Sequence, residues 1–112
     1  MEFSKNKIID IAREVIEVES NALKALSKNL PNCFEKFINS VYDCSGRLII
    51  SGIGKSGHIA KKISATLAST GTPSYFIHAA EASHGDLGMI MEVDICLLIS
   101  NSGETTELKD IL

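Results

Sequence analysis

Glycine is distributed unevenly along this chain, and that constrains the fold more than any other feature. All 8 glycines of the 112 residues lie at or after Gly46. Glycine enters left-handed backbone and lets backbones approach closely where other residues cannot. Tight turns are therefore expected after position 45, and long helices before it. Apolar spacing agrees. Ile8, Ile11, Ala12, Val15, Val18, Ala22, Ala25 and Leu26 recur at intervals of three and four, which predicts an amphipathic helix over Lys5 to Ser27. Pro31 fits the first turn of a second helix, with Phe34, Phe37, Ile38, Val41 and Tyr42 on its apolar face and Gly46 as its stop.

Beyond Gly46 the pattern changes period. Arg47 to Ser51 reads as a short buried strand, Gly52 to Gly57 as a glycine-rich turn, and His58 to Thr70 as a helix closed by Gly71. Pro73 bars helix continuation, and Ser74 to Ile77 reads as a second strand. Residues 79–92 read as a polar, glycine-containing loop with room for one helical turn. Asp94 to Ile99 is the third strand, Ser100 to Thr105 a second turn, and another helix starts near Glu104. Strand, turn and helix repeated in this order is the βαβ pattern, and nearly continuous apolar strands imply a parallel sheet covered on both faces. The last helix has barely two turns before Leu112, and three strands make a thin sheet. The chain is therefore expected to be cut short relative to a complete domain of this type.

Composition narrows the class. With 45% hydrophobic and 22% charged residues, the chain is an ordinary globular domain and not a disordered segment. A net charge of −3 argues against a general nucleic-acid binder. The longest apolar run, Ile95 to Ile99, is far short of a membrane span, and the N-terminal residues do not form a signal peptide. Cys33, Cys44 and Cys96 are too few and too scattered for a disulfide framework or a metal knuckle. They read as buried free thiols of a cytoplasmic protein. The charge is also uneven: residues 1–44 sum to −1, residues 45–84 to +3 and residues 85–112 to −5. An anion belongs in the middle segment.

Two turns carry the chemistry. Gly52-Ile53-Gly54-Lys55-Ser56-Gly57 is not a P-loop, because that motif needs glycine where Ile49 stands. It does match the GxGxxG dinucleotide fingerprint. That fingerprint also needs an acid at the end of the next strand, and Ile77 and His78 stand there instead. Backbone N–H groups at a helix start, with Lys55 and Ser56 as further donors, suit a phosphate. In the second turn Ser100, Asn101, Ser102, Gly103 and Thr105 make a neutral cradle, although Ser102 as a plain helix cap is the simpler alternative. Two donor-rich turns at successive strand ends lie where open α/β sheets bind ligands. His78 and His84 flank a loop with Glu81 and Asp86, at a spacing that fits no standard zinc motif. Glu104 and Glu107, three apart, share a helix face near the second turn.

The blocks GIGKSGH, STGTPS, HGDLGM and SNSGE, in this order from Gly52 to Glu104, resemble the arabinose 5-phosphate isomerase family, whose members carry a sugar isomerase (SIS) domain. The resemblance implies an α/β fold, with two N-terminal helices followed by a three-layer, parallel-sheet SIS-type sandwich. It makes residues 1–112 a single incomplete SIS domain, with a helical part over 1–45 and a βαβ sugar-phosphate-binding part over 46–112. The CBS domains of longer members have no counterpart in these residues. The activity implied is interconversion of ribulose 5-phosphate and arabinose 5-phosphate, on the route to Kdo and lipopolysaccharide. A non-catalytic sugar-phosphate-binding module is the alternative, and the HGDLGM block favours the isomerase.

By the same resemblance, Ser56, Ser100, Ser102 and Thr105 correspond to phosphate contacts, and Gly71 and Thr72 to substrate contacts. His84 corresponds to a substrate-binding histidine, and His78 to a position where zinc binds and inhibits. Lys55 and Glu107 correspond to catalytic positions; two more, a glutamate and a histidine, lie past Leu112. Asn101 joins the substrate-binding set as part of the second turn. No cofactor is required. The partners implied are a pentose 5-phosphate and further copies of the chain, as a tetramer, with neither nucleic acid nor membrane.

Overall fold

The computed structural model describes residues 2, 4–79, 88 and 90–103. In chain order the elements are α1 (Lys5–Lys28), α2 (Phe34–Tyr42), β1 (Leu48–Gly52), α3 (Gly54–Ser69), β2 (Ser74–Phe76) and β3 (Ile95–Ile99). They fall into two compact units, residues 1–37 and 38–112. No helix among the described residues is long and apolar enough to cross a membrane.

The first unit is dominated by α1, within one residue of the expected span. Ser4 caps it: its hydroxyl accepts the Lys7 N–H at 3.2 Å, satisfying one orphan amide of the first turn. At the other end the Asn29 amide N–H donates to the Leu26 carbonyl, the Asn29 side chain donates to the Ala25 carbonyl, and Lys28 suits the negative end of the helix dipole. The second helix begins three residues later than expected. Pro31 lies outside it, in a turn closed by the Phe34 N–H on the Pro31 carbonyl at 3.0 Å. Gly46 does not stop α2 either, since that helix ends at Tyr42. A Cβ on Gly46 would stand 2.5 Å from an Asp94 carboxylate oxygen and 2.6 Å from the Val93 carbonyl oxygen. This glycine is needed for close passage beside the start of β3.

In the second unit β1 is the centre. It pairs in parallel with β2 on one side and β3 on the other, in the order β2-β1-β3. All five β1 residues are buried, as a strand covered on both faces requires. Side chains alternate. Leu48 and Ile50 pack with Ala60, Ile63 and Leu67 of α3 and with Ile95, Leu97 and Ile99 of β3, while Ile49 faces Ile77, Tyr75 and Ile90 on the other side. Buried Ser51 donates to the Ile77 carbonyl and so extends the β1–β2 pairing past Phe76.

Polar groups pin the N-terminal ends of the strands. The Asp94 side chain is 1% exposed and accepts the Arg47 amide at 2.7 Å and the Met91 amide at 2.8 Å. The Arg47 guanidinium reaches the second Asp94 oxygen at 3.4 Å, lies 4.4 Å from the centre of the Tyr75 ring and donates to the Tyr75 hydroxyl. One cluster thus joins residues at the starts of β1 and β3 to a residue of β2. The cysteines depart from expectation: Cys33 and Cys96 are exposed and Cys44 is half-buried, its thiol 3.2 Å from the Val93 carbonyl. Cys96 lies on β3 with its side chain on the opposite face from Ile95 and Leu97, away from the α3-covered core. Partial burial of its sulfur, and then the nearby Asp94 charge, push its thiol above the ordinary value.

The strand-start cluster and the β1–α3 contact can each be tested by substitution. The two backbone N–H bonds hold the Asp94 carboxyl below its ordinary value of 3.8, reinforced by Arg47 and opposed by desolvation. A depressed carboxyl stabilises the fold above its unfolded value, and this contribution is lost as pH falls through the folded value. Asp94→Asn will therefore melt lower than the native protein at neutral pH, and thermal scans will show the gap closing as pH drops below about 4. Gly52→Ala and Gly57→Ala will each cost about 1–3 kcal/mol in urea denaturation, because each added methyl meets backbone. A Cβ on Gly52 would stand 2.9 Å from the Ser56 carbonyl, and one on Gly57 would stand 2.9 Å from the Gly52 carbonyl oxygen.

Candidate functional site

The first expected turn proves to be the first turn of α3, which starts at Gly54, four residues before the expected position. Its three glycines have different reasons to be there. Gly52 and Gly57 let the end of β1 and the first turn of α3 touch backbone to backbone. Gly54 has φ of 61°, a left-handed conformation that turns the chain from strand into helix and strains any other residue. Ile53 precedes the helix without a side-chain cap. The first amides of α3 are therefore left for another acceptor, at the positive end of the helix dipole.

Beside this helix start lies a cavity of about 200 Å³, lined by Ile53, Ser56, Ile99, Ser100, Asn101 and Ser102. It sits beyond the C-terminal ends of β1 and β3, the ligand position of open parallel sheets. Four of the expected site residues, Ser56, Ser100, Asn101 and Ser102, are thus brought together. The Ser100 hydroxyl accepts the Gly103 N–H at 2.9 Å, which folds the second turn back on itself and fixes the hydroxyl oxygen at the cavity wall. Gly103 has φ of 72°, so this turn too depends on its glycine. Lys55 is exposed on the same first turn as half-buried Ser56.

Gly71 and Thr72 lie elsewhere. Gly71, with φ of 102°, and Thr72, whose N–H donates to the Leu67 carbonyl at 2.9 Å, close the C-terminal end of α3 in a Schellman-type cap. That end is about 24 Å from the helix start, at 1.5 Å per residue over 16 residues. One chain does not bring them to the cavity. His78 is exposed just past β2, with its ring edge-on to Phe76 at 6.2 Å between centroids. Among the described residues no group of three or more histidines, cysteines or acids gathers to hold a metal. His84, Thr105 and Glu107 lie outside the described residues.

Sequence reasoning missed the apolar walls. Ile53 and Ile99 line the cavity, though they read as filler of a turn and a strand. Their positions directly after Gly52 and directly before Ser100 were the available signal.

Comparison with known proteins agrees with this geometry. Residues 41–112 match the model of the SIS domain. The chain is 54% identical over 106 residues to the arabinose 5-phosphate isomerase KpsF of Escherichia coli O6:H1, with 94% of this chain and 32% of that protein covered. It is 46% identical over 100 residues to the arabinose 5-phosphate isomerase KdsD of Yersinia pestis, covering 89% of this chain and 30% of the other. A solved structure of an E. coli CFT073 protein in complex with arabinose 5-phosphate superposes with a TM-score of 0.91 at 41% identity, over 98% of this chain and 58% of that one. The chain thus spans about a third of the length of these curated relatives. The parallel sheet, the cavity at its C-terminal edge and the family match over residues 41–112 together place the chain in the SIS domain family.

Proposed function

We propose that this chain supplies the phosphate-binding part of an aldose–ketose isomerase that interconverts ribulose 5-phosphate and arabinose 5-phosphate. The observation that carries this reading is the cavity between the α3 start and the Ser100–Ser102 turn, in a chain about half identical to arabinose 5-phosphate isomerases. The division of labour proposed puts residues 46–112 in charge of the sugar phosphate and residues 1–45 in a helical part that associates with further copies, as a tetramer. The setting proposed is the cytoplasm, in the supply of Kdo for lipopolysaccharide.

The phosphate is the natural occupant of the cavity. Uncapped amides of α3 and the hydroxyls of Ser56, Ser100 and Ser102 offer donors, and the Asn101 carboxamide offers two more. Ile53 and Ile99 give the cavity apolar wall, and a less polar surrounding strengthens such bonds. Thr105 is proposed as a further phosphate contact by the resemblance alone. With the phosphate fixed, isomerisation moves a proton between C1 and C2 through an enediolate. That step needs a base, an acid at the sugar oxygen, and positive charge near the developing oxyanion. Lys55 supplies charge, Glu107 carries or orients the proton, and His84 holds a sugar hydroxyl in this proposal. Gly71 and Thr72 are proposed as substrate contacts only as the relatives imply. The far position of their cap means such a contact would come from another copy of the chain. No organic cofactor is needed, and zinc acts through His78 as an inhibitor.

Calorimetric titration tests the central claim. Arabinose 5-phosphate is expected to bind at least about a hundredfold tighter than arabinose, since charge-assisted hydrogen bonds contribute about 1.5–3 kcal/mol each. Equal affinities would remove the phosphate cradle. Conversion of ribulose 5-phosphate by the same preparation separates an isomerase from a binding module. In a zinc titration His78→Ala is expected to lose zinc sensitivity and keep sugar-phosphate binding, whereas His84→Ala weakens the sugar complex. The reverse pattern would exchange the two roles.

A further inference from the structure

We infer that Lys61 and Lys62 form an electrostatic guide that draws a doubly charged sugar phosphate along the outer face of α3 to the cavity, without touching it once bound. The inference rests on the phosphate-binding reading of that cavity and assigns a role to residues that reading does not use.

The composition of α3 is the starting point. Its 16 residues include Lys55, Lys61 and Lys62 and no aspartate or glutamate. A helix gains stability from acids near its start and from cations near its end. In α3 the lysines lie within the first nine residues and the last turn has no basic residue, so charge placement works against helix stability. Packing does not explain it either. Gly57, Ala60 and Ser64 face the core, while Lys55, His58 and Lys62, spaced by three and four, lie on the opposite, exposed face, with Lys61 exposed beside them. Among the described residues no carboxylate pairs with Lys55, Lys61 or Lys62.

Position and charge give the lysines a function. They follow Ser56 by five and six residues, a rise of about 7.5–9 Å along the helix. At a separation comparable to the screening length of about 8–10 Å at physiological salt, their pull on an approaching anion is partly screened and strengthens as salt is lowered. These 112 residues carry a net charge of −3, which on average repels a phosphate dianion. A local positive track that raises the encounter rate answers that repulsion.

Stopped-flow binding of arabinose 5-phosphate to the protein and to its Lys61→Gln/Lys62→Gln variant, across a salt series, is the test. The variant is expected to associate roughly three- to five-fold more slowly at about 10 mM ionic strength, with the difference gone by about 0.5 M. Dissociation rates stay equal. Lys61→Glu/Lys62→Glu must slow association further. Equal association rates and equal salt slopes in all three proteins would overturn the guide and leave the phosphate site standing. A loss of affinity that persists at about 0.5 M salt, carried by faster dissociation, would overturn it in favour of direct contact. Failure of the native protein to bind at any salt would remove the phosphate site itself, and the guide with it.

Discussion

The contact between the end of β1 and the first turn of α3 sets everything that follows it. Gly52 and Gly57 meet there without side chains between them. This brings the helix start against the strand end, so that Ser56 of α3 opens onto the same cavity as the turn after β3. A methyl at either glycine would push α3 outward by a few tenths of an ångström or more, since the atoms it meets are backbone and cannot rotate away. Gly54 adds a separate constraint through its positive φ. The motif that reads as a nucleotide fingerprint is, in this fold, a packing device that sets the start of α3 beside the cavity.

The opposite edge of the sheet is held by charge. Asp94 accepts amides from Arg47 and Met91, while Arg47 spans from Asp94 to Tyr75. Parallel strands have no hairpin to fix their register. Here the Arg47 amide on Asp94, together with the Ile95 amide on the Arg47 carbonyl, locks β3 against β1 at its first residue. The register then runs without slip from Leu48 opposite Ile95 to Gly52 opposite Ile99. Gly52 and Ile99 therefore end level, which is why Ile53 and Ser100 both reach the cavity. An ion-pair cluster at one end of the sheet thus helps to define the binding geometry at the other.

Much of this is legible in the sequence. The Ser4-to-Lys28 stretch has a cap, an apolar repeat and no glycine, and it forms α1 as expected. β1 and β3 are visible as apolar runs, and their paired turns as donor-rich segments. The departures share one cause. Local rules for helix starts, helix stops and loops misplace Pro31, Gly46 and the Gly52–Gly57 turn. In the structure Gly46, Gly52 and Gly57 answer to residues distant in sequence or in the next element, namely Asp94, Ser56 and Gly52. Close approach leaves no local signature beyond the glycine itself. Cys96 departs for a related reason. Its alternation on β3 puts it on the face away from α3, and an apolar run does not reveal which face is covered.

The two ends of α3 carry different demands, and this bears on how the chemistry is divided. The start of the helix is held against β1, backbone on backbone, which suits an anchor for a phosphate that does not react. The candidate proton-handling group, Glu107, and the candidate sugar-binding His84 belong to other stretches of the chain. Such a division has a physical logic. A misplacement of about 1 Å at the reacting carbons can lower the rate about a hundredfold. An anchor must therefore hold the sugar more tightly than the groups that act on it need to be held themselves. In the proposed reading the anchor sits on the β1–α3 contact, where backbone meets backbone. The Lys61 and Lys62 track lies on the exposed side of the same helix and leaves that contact undisturbed. In the proposed reading, attraction at a distance and fixation on contact fall to two faces of α3, so that each can change without loosening the other.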